Sequence, residues 1–195
     1  MSTQTNVGRR QFLKISALAG GTLLVGIELI RPRTAAAAAS AFTPNAWIGV
    51  HPDGRVSLVC PRNEMGQDVY TSLTMLLAEE LAVDPSQVTV EQAPPNPVYI
   101  NKLMGSQITG GSTSMRDAWE PLRKAGATAR TMLVSAAAAR WKVPAAEFRA
   151  TDGHVIYRDK RLAYGAVAAD AAHLPVPDNV ALKSVGELRV MKTVL

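Results

Sequence analysis

A single cysteine, Cys60, serves all 195 residues of this chain. That excludes an internal disulfide framework and any cysteine-rich zinc or iron–sulfur site supplied by this chain alone. Histidine is almost as scarce, and His51, His154 and His173 lie too far apart to make a metal-ligand pattern with one another. No Gly-Lys-Ser/Thr triplet and no Gly-x-Gly-x-x-Gly occurs, so the nucleoside triphosphate and simple dinucleotide fingerprints are absent. Aromatic residues are only 5% of the chain, and no apolar stretch reaches the roughly 20 residues needed to span a bilayer as a helix.

The formal charge of +5 is unevenly placed. Within the first forty residues Arg9, Arg10, Lys14, Arg31 and Arg33 face one acid, Glu28, whereas the remaining 155 residues hold 16 Lys and Arg against 15 Asp and Glu. The part expected to fold is therefore nearly neutral and has no basic run, which excludes nucleic acid as a partner. Arg9-Arg10 followed by Phe12, Leu13 and Lys14, then the apolar run Ile15 to Ile30, matches a twin-arginine export signal. The Ala-rich stretch Thr34 to Ala41 offers Ala-x-Ala cleavage sites, so residues 1–40 read as the signal, with a mature start near Ser40 to Phe42. The expected location is periplasmic, reached through the twin-arginine export machinery. An uncleaved, membrane-associated anchor is the alternative.

Beyond the signal, residues 41–190 alternate local patterns. Trp47 to His51 and Val56 to Cys60 flank Pro52-Asp53-Gly54-Arg55 and predict a β-hairpin. Val69, Leu73, Leu76, Leu77 and Leu81 recur at helical spacing between Gln67 and Val83, which leaves Asp68, Ser72, Glu79 and Glu80 expected on the outer face. A strand over Gln87 to Glu91, an irregular loop from Ala93 to Thr109 and a long helix from Gly110-Gly111-Ser112 to about Lys142 follow. Leu122, Ala125, Gly126, Ala129, Leu133, Ala136, Ala137 and Trp141 mark its buried face, and Pro121 should kink or split it. A second hairpin is expected around Thr151-Asp152-Gly153, then a short helix from Leu162 to Ala172. The order implies an α+β fold, a mixed sheet with helices on one face and two glycine-loop-to-helix junctions.

Those junctions carry the chemistry. Glu64-Met65-Gly66-Gln67 and Thr109-Gly110-Gly111-Ser112-Thr113-Ser114 each open a helix, whose first N–H groups lack intrahelical partners and favour anions. Glycines allow close backbone approach, and the hydroxyls of Ser112, Thr113 and Ser114 add donors. The same residues also read as ordinary helix caps, with Glu64 a turn carboxylate at a helix start and Asp68 an N-cap. Cys60 reads as a small buried residue.

Taken with Ala78-Glu79-Glu80-Leu81 and Trp119-Glu120-Pro121-Leu122-Arg123-Lys124-Ala125-Gly126-Ala127, the two loops resemble the molybdopterin-binding large subunit of the xanthine dehydrogenase and aldehyde oxidase family. Within that family the chain is similar to the isoquinoline 1-oxidoreductase β-subunit type. The resemblance implies molybdopterin cytosine dinucleotide as cofactor, with Gly66, Gln67, Gly110, Gly111, Ser112, Thr113 and Ser114 as its contacts. It also implies an iron–sulfur small subunit, the rest of the large subunit, and a small N-heteroaromatic or aldehyde substrate. Many members have Gly where this chain has Asp68. Large subunits of that family are several times longer and carry their glutamate base near the C-terminus, so the chain is expected to be an N-terminal portion, inactive alone, with no catalytic or metal-ligating residue assigned. A reading from another class is a non-catalytic exported binding domain that keeps the fold without the cofactor.

Overall fold

The computed structural model describes residues 14–17, 23–26 and 46–192. Among them run β1 (Lys14–Ala17), β2 (Leu23–Gly26), β3 (Ala46–Val50), β4 (Val56–Cys60), α1 (Val69–Leu81), β5 (Val88–Gln92), α2 (Ser114–Trp141), β6 (Arg149–Thr151), β7 (His154–Tyr157), β8 (Lys160–Ala163) and α3 (Tyr164–Ala172). The expected hairpin is β3–β4, closed by a turn in which Gly54 takes φ 88°, where a side chain would be strained. β4 is buried along its whole length, as its unbroken Val-Ser-Leu-Val-Cys run requires of a central strand. It pairs with β3 antiparallel and with β5 parallel, so β4–α1–β5 is a crossover unit and the five-stranded sheet, in the order β1-β2-β3-β4-β5, is mixed. Cys60 is buried at its end.

Two of these strands, β1 and β2, fall within the residues that read as an export signal, and β2 continues the ladder onto β3. The second hairpin forms as β6–β7, but β8 extends it into a separate three-stranded sheet. Leu162 and Ala163 belong to β8, so the last helix starts later than its apolar spacing implied.

α1 and α2 pack against each other. Gly126 permits this, because a Cβ there would lie 3.0 Å from the Cβ of Glu80 and 3.2 Å from the carbonyl of Leu77. α2 runs unbroken through Pro121, against the expected split, and Trp141 is only half-buried in an aromatic cluster with Phe148 and Tyr157.

The outward placement expected for Glu79 and Glu80 is corrected, since both are buried, at 1% and 0% exposure. Helical spacing reports one apolar stripe, and here the opposite flank is covered by a chain segment that returns more than a hundred residues later. Glu80 accepts from Arg123 Nε at 2.8 Å and Arg130 Nη1 at 3.4 Å, and the Lys183 N–H donates to both its oxygens at 3.2 Å. Glu79 accepts from Lys183 Nζ at 3.0 Å and from the N–H groups of Arg189 and Val190 at 2.8 and 2.6 Å. Burial pushes the Glu79 carboxyl up, but Lys183 and those N–H groups outweigh it and hold the group below its ordinary value. Its stabilisation of the returning segment around residues 183–191, the strap, is therefore present above the ordinary value of 4.5 and lost as pH falls through the lower folded one. Amide exchange at Arg189–Met191 is expected to accelerate selectively between pH 5 and pH 3 after correction for intrinsic rates; unchanged protection would contradict this anchoring.

Candidate functional site

The first glycine loop leaves β4 through Arg62, which is buried in spite of its charge. Its guanidinium donates to Asp117 Oδ2 at 2.5 Å and to the carbonyl of Tyr99 at 3.3 Å, which fastens the loop to the first turn of α2. Asp117 in turn accepts the Lys102 N–H through Oδ1 at 2.9 Å. The two loops also meet directly, since the Asn63 N–H donates to Thr109 Oγ1 at 2.7 Å.

Within the first loop the donors expected at the start of α1 are already taken. Glu64 Oε1 accepts from the N–H of Gly66 at 2.8 Å and of Asp68 at 3.1 Å, and Oε2 accepts from Tyr70 at 3.1 Å. The Tyr70 N–H, then those of Gly66 and Asp68, hold this exposed carboxyl below the ordinary value. Glu64 is thus the cap of α1, and it does so from four residues before Asp68. Asp68, expected as the N-cap side chain, makes no capping bond. It occupies the junction at φ 58°, where its carbonyl accepts from Ser72. A left-handed backbone at this position suits glycine and, among other residues, Asp and Asn.

Gln67 spends its amide inside the loop, accepting from Met65 N–H at 2.6 Å and donating to the Asn63 carbonyl at 2.8 Å. Gly66, at φ 89°, makes the turn.

In the second loop Gly111 and Ser112 both take positive φ, 59° and 53°, between Gly110 and Thr113, as in the mirror-image type I′ turn. The turn closes through Thr113 N–H to the Gly110 carbonyl at 3.2 Å. The Thr113 hydroxyl is buried, donates to that same carbonyl at 2.8 Å and accepts from Asn101 Nδ2 at 2.7 Å. Asn101, wholly buried, organises the preceding loop as well, because its carbonyl accepts from Met104 and Gly105 and its backbone bridges Ser106.

Of the seven candidate contacts, the structure gathers Gln67, Gly110, Ser112 and Ser114 on one cavity of about 450 Å³, together with Met65, Val69, Ser72, Thr109 and Met115. Gly66, Gly111 and Thr113, the other three candidates, are not among the residues that line it. Nothing in that lining is charged. Its polar character comes from hydroxyls, one carboxamide and the first turn of α2, whose leading N–H groups take no side-chain cap from Thr113. Met65 on the wall, with Leu103, Met104 and Ile108 on the approaching loop, leaves large apolar side chains exposed nearby. Among the described residues no group of three or more His, Cys, Asp or Glu could hold a metal ion.

Arg62, Asn101 and Asp117 were not legible as site-building residues. An arginine after a strand or an asparagine in a proline-rich loop has no periodic signature, although Asp117 in the first turn of a helix is the kind of residue the dipole favours.

Residues 14–193 match the family model described as molybdopterin cofactor-binding domain. The β-subunit of isoquinoline 1-oxidoreductase from Brevundimonas diminuta is 42% identical over 134 residues, 67% of this chain and 17% of the relative. The membrane-bound aldehyde dehydrogenase [pyrroloquinoline-quinone] of Gluconacetobacter polyoxogenes is 29% identical over 96% of this chain and 25% of its own length. A nicotinate dehydrogenase subunit from Pseudomonas putida is 30% identical over 74% of this chain and 12% of its own length. The chain thus spans a quarter or less of the curated relatives it matches. Among solved structures, quinoline 2-oxidoreductase of Pseudomonas putida 86 shares the fold, with TM-score 0.51 and 17% identity over 68% of this chain and 17% of that one.

Proposed function

Because this chain belongs to the molybdopterin cofactor-binding domain family, we propose that the cavity between its glycine loops receives anionic groups of molybdopterin cytosine dinucleotide within an exported molybdenum hydroxylase. The whole enzyme acts on an N-heteroaromatic compound or an aldehyde and passes electrons to an iron–sulfur partner subunit, as the names of the Brevundimonas and Pseudomonas relatives support for heteroaromatic substrates.

One observation carries the assignment of the cavity. Gly110 lies on its wall with an ordinary φ, and a Cβ there would meet no atom within 4 Å. Neither a left-handed backbone nor neighbouring protein atoms call for glycine there, and the absence of a side chain leaves the cavity wall open to close approach of a ligand to the backbone. Ser112, on the same wall, is held left-handed without being glycine, the kind of local strain found at ligand clamps. The volume lies in the range of small-molecule sites.

The family's group fits these residues: hydroxyls of Ser112 and Ser114 and the N–H groups opening α2 would donate to its anionic oxygens, with Gly110 letting the backbone come close. When bound, the cofactor supplies the two-electron redox chemistry of hydroxylation. This chain's share is binding and orientation. The start of α2, through Ser114 and Met115, lies on the cavity wall, while Arg62, Asp117, Asn63 and Thr109 fix one loop against the other. Glu64 is not a base here, since its oxygens are committed to three backbone N–H groups.

The test is elemental and nucleotide analysis of the protein purified from its native host with associated chains retained. Molybdenum and released CMP at near one per chain are expected. The Gluconacetobacter relative's name carries pyrroloquinoline quinone, so the same preparation is assayed for that quinone. Quinone without molybdenum, or neither group in a folded protein, would overturn the proposal.

A further inference from the structure

Part of the segment that reads as a twin-arginine signal, residues 14–17 and 23–26, belongs to the sheet. β2 continues the ladder of β3, with Leu23 opposite Val50, Leu24 opposite Gly49 and Val25 opposite Ile48, and β1 pairs with β2 from Lys14 opposite Gly26 to Ala17 opposite Leu23. α3 packs against both strands and α2 against β2. The family match starts at Lys14, the first residue of β1.

We propose that residues 14–26 are retained in the mature protein as a structural hairpin, so that export address and sheet edge are one continuous segment and no processing occurs in the Ala-rich stretch 34–41. The physical reason lies in what cleavage there would expose. β3 holds Trp47, Ile48 and Val50 in the core at 6%, 1% and 0% exposure. Removing β1 and β2 turns its outer side into an open edge with a row of unpaired N–H and C=O groups, and it uncovers the surface of α2 and α3 that faces those strands. An apolar Leu-Leu-Val-Gly strand completes that edge from within the chain, the intramolecular counterpart of strand addition. The described parts of the apolar run that reads as a signal core, residues 15–17 and 23–26, are thereby strands of the sheet, while Arg9 and Arg10 precede the first strand by only a few residues.

The experiment uses the protein purified from its native host with its associated chains. Intact mass and N-terminal peptide mapping locate the mature start, and amide hydrogen exchange reads the ladder. A start upstream of Lys14, with slow exchange at Leu23–Gly26 and Ala46–Val50, is the expected result. A folded exported protein that starts beyond Gly26 would overturn the proposal, and so would a retained segment whose amides exchange as fast as those of an unstructured peptide. Neither readout depends on cofactor content, so its failure is separable from failure of the functional assignment above.

Discussion

Glu80→Ala is expected to cost about 3–5 kcal/mol of stability, the range for breaking a buried ion pair by removing one partner. Glu80 is fully buried and accepts from Arg123 at 2.8 Å, from Arg130 at 3.4 Å and from the N–H of Lys183 at 3.2 Å. Alanine removes the acceptor but leaves the largely buried Arg123 side chain, 11% exposed, with its charge no longer paired to Glu80. The carbonyl of Lys183 still accepts from it at 2.6 Å, which keeps the helices and the strap associated but does not neutralise the charge. Glu80→Gln, which keeps an acceptor of the same shape, is expected to cost less, about 1–3 kcal/mol. Thermal unfolding should order the three proteins accordingly, with a drop of about 6–20 °C for the alanine variant at this chain length. A loss under 1 kcal/mol for Glu80→Ala would mean that water already screens the pair.

Gly110→Asp is expected to leave the fold intact and abolish most cofactor loading. The position has an ordinary φ and open space where the side chain begins, so melting should move by less than about 1 kcal/mol. The new carboxylate would stand on a cavity wall that has no charged side chain to offset it. Repulsion between two unit negative charges about 5 Å apart at an effective dielectric near 20 is about 3 kcal/mol, roughly a hundredfold in occupancy. Molybdenum and CMP per chain, measured on the assembly purified beside the wild type, check this. Full loading of a well-folded Gly110→Asp protein would move the binding site elsewhere.

The contrast between Gly110 and Gly66 shows how far loop chemistry can be read before folding. Both stand in glycine loops that open helices, and both were candidates for the same reason. Gly66 needs its φ of 89° to make the turn, which accounts for it within the chain itself. Gly110 has no such requirement, and only the three-dimensional surroundings reveal it. The two helix starts likewise looked equivalent, yet Glu64 fills one with its own carboxylate while the other has no side-chain cap. A carboxylate five residues ahead of a helix can bend back onto its N–H groups or point to solvent, and spacing alone does not choose between them.

What the sequence by itself determined is local: the hairpins, the apolar stripe of α1, the extent of α2, the two glycine loops and the resemblance they carry. Periodicity and turn chemistry act over a few residues, so they are written along the chain. Tertiary structure alone decided that Glu79 and Glu80 face inward, that Arg62 and Asp117 clamp the loops, and that the apolar N-terminal segment supplies two strands. The partners in those ion pairs stand 43, 55 and 104 residues apart, for Arg123 with Glu80, Arg62 with Asp117 and Lys183 with Glu79. A buried charge is tolerated only where its counter-charge arrives from elsewhere in the fold, and that arrival depends on how the sheet and helices stack rather than on any neighbouring residue.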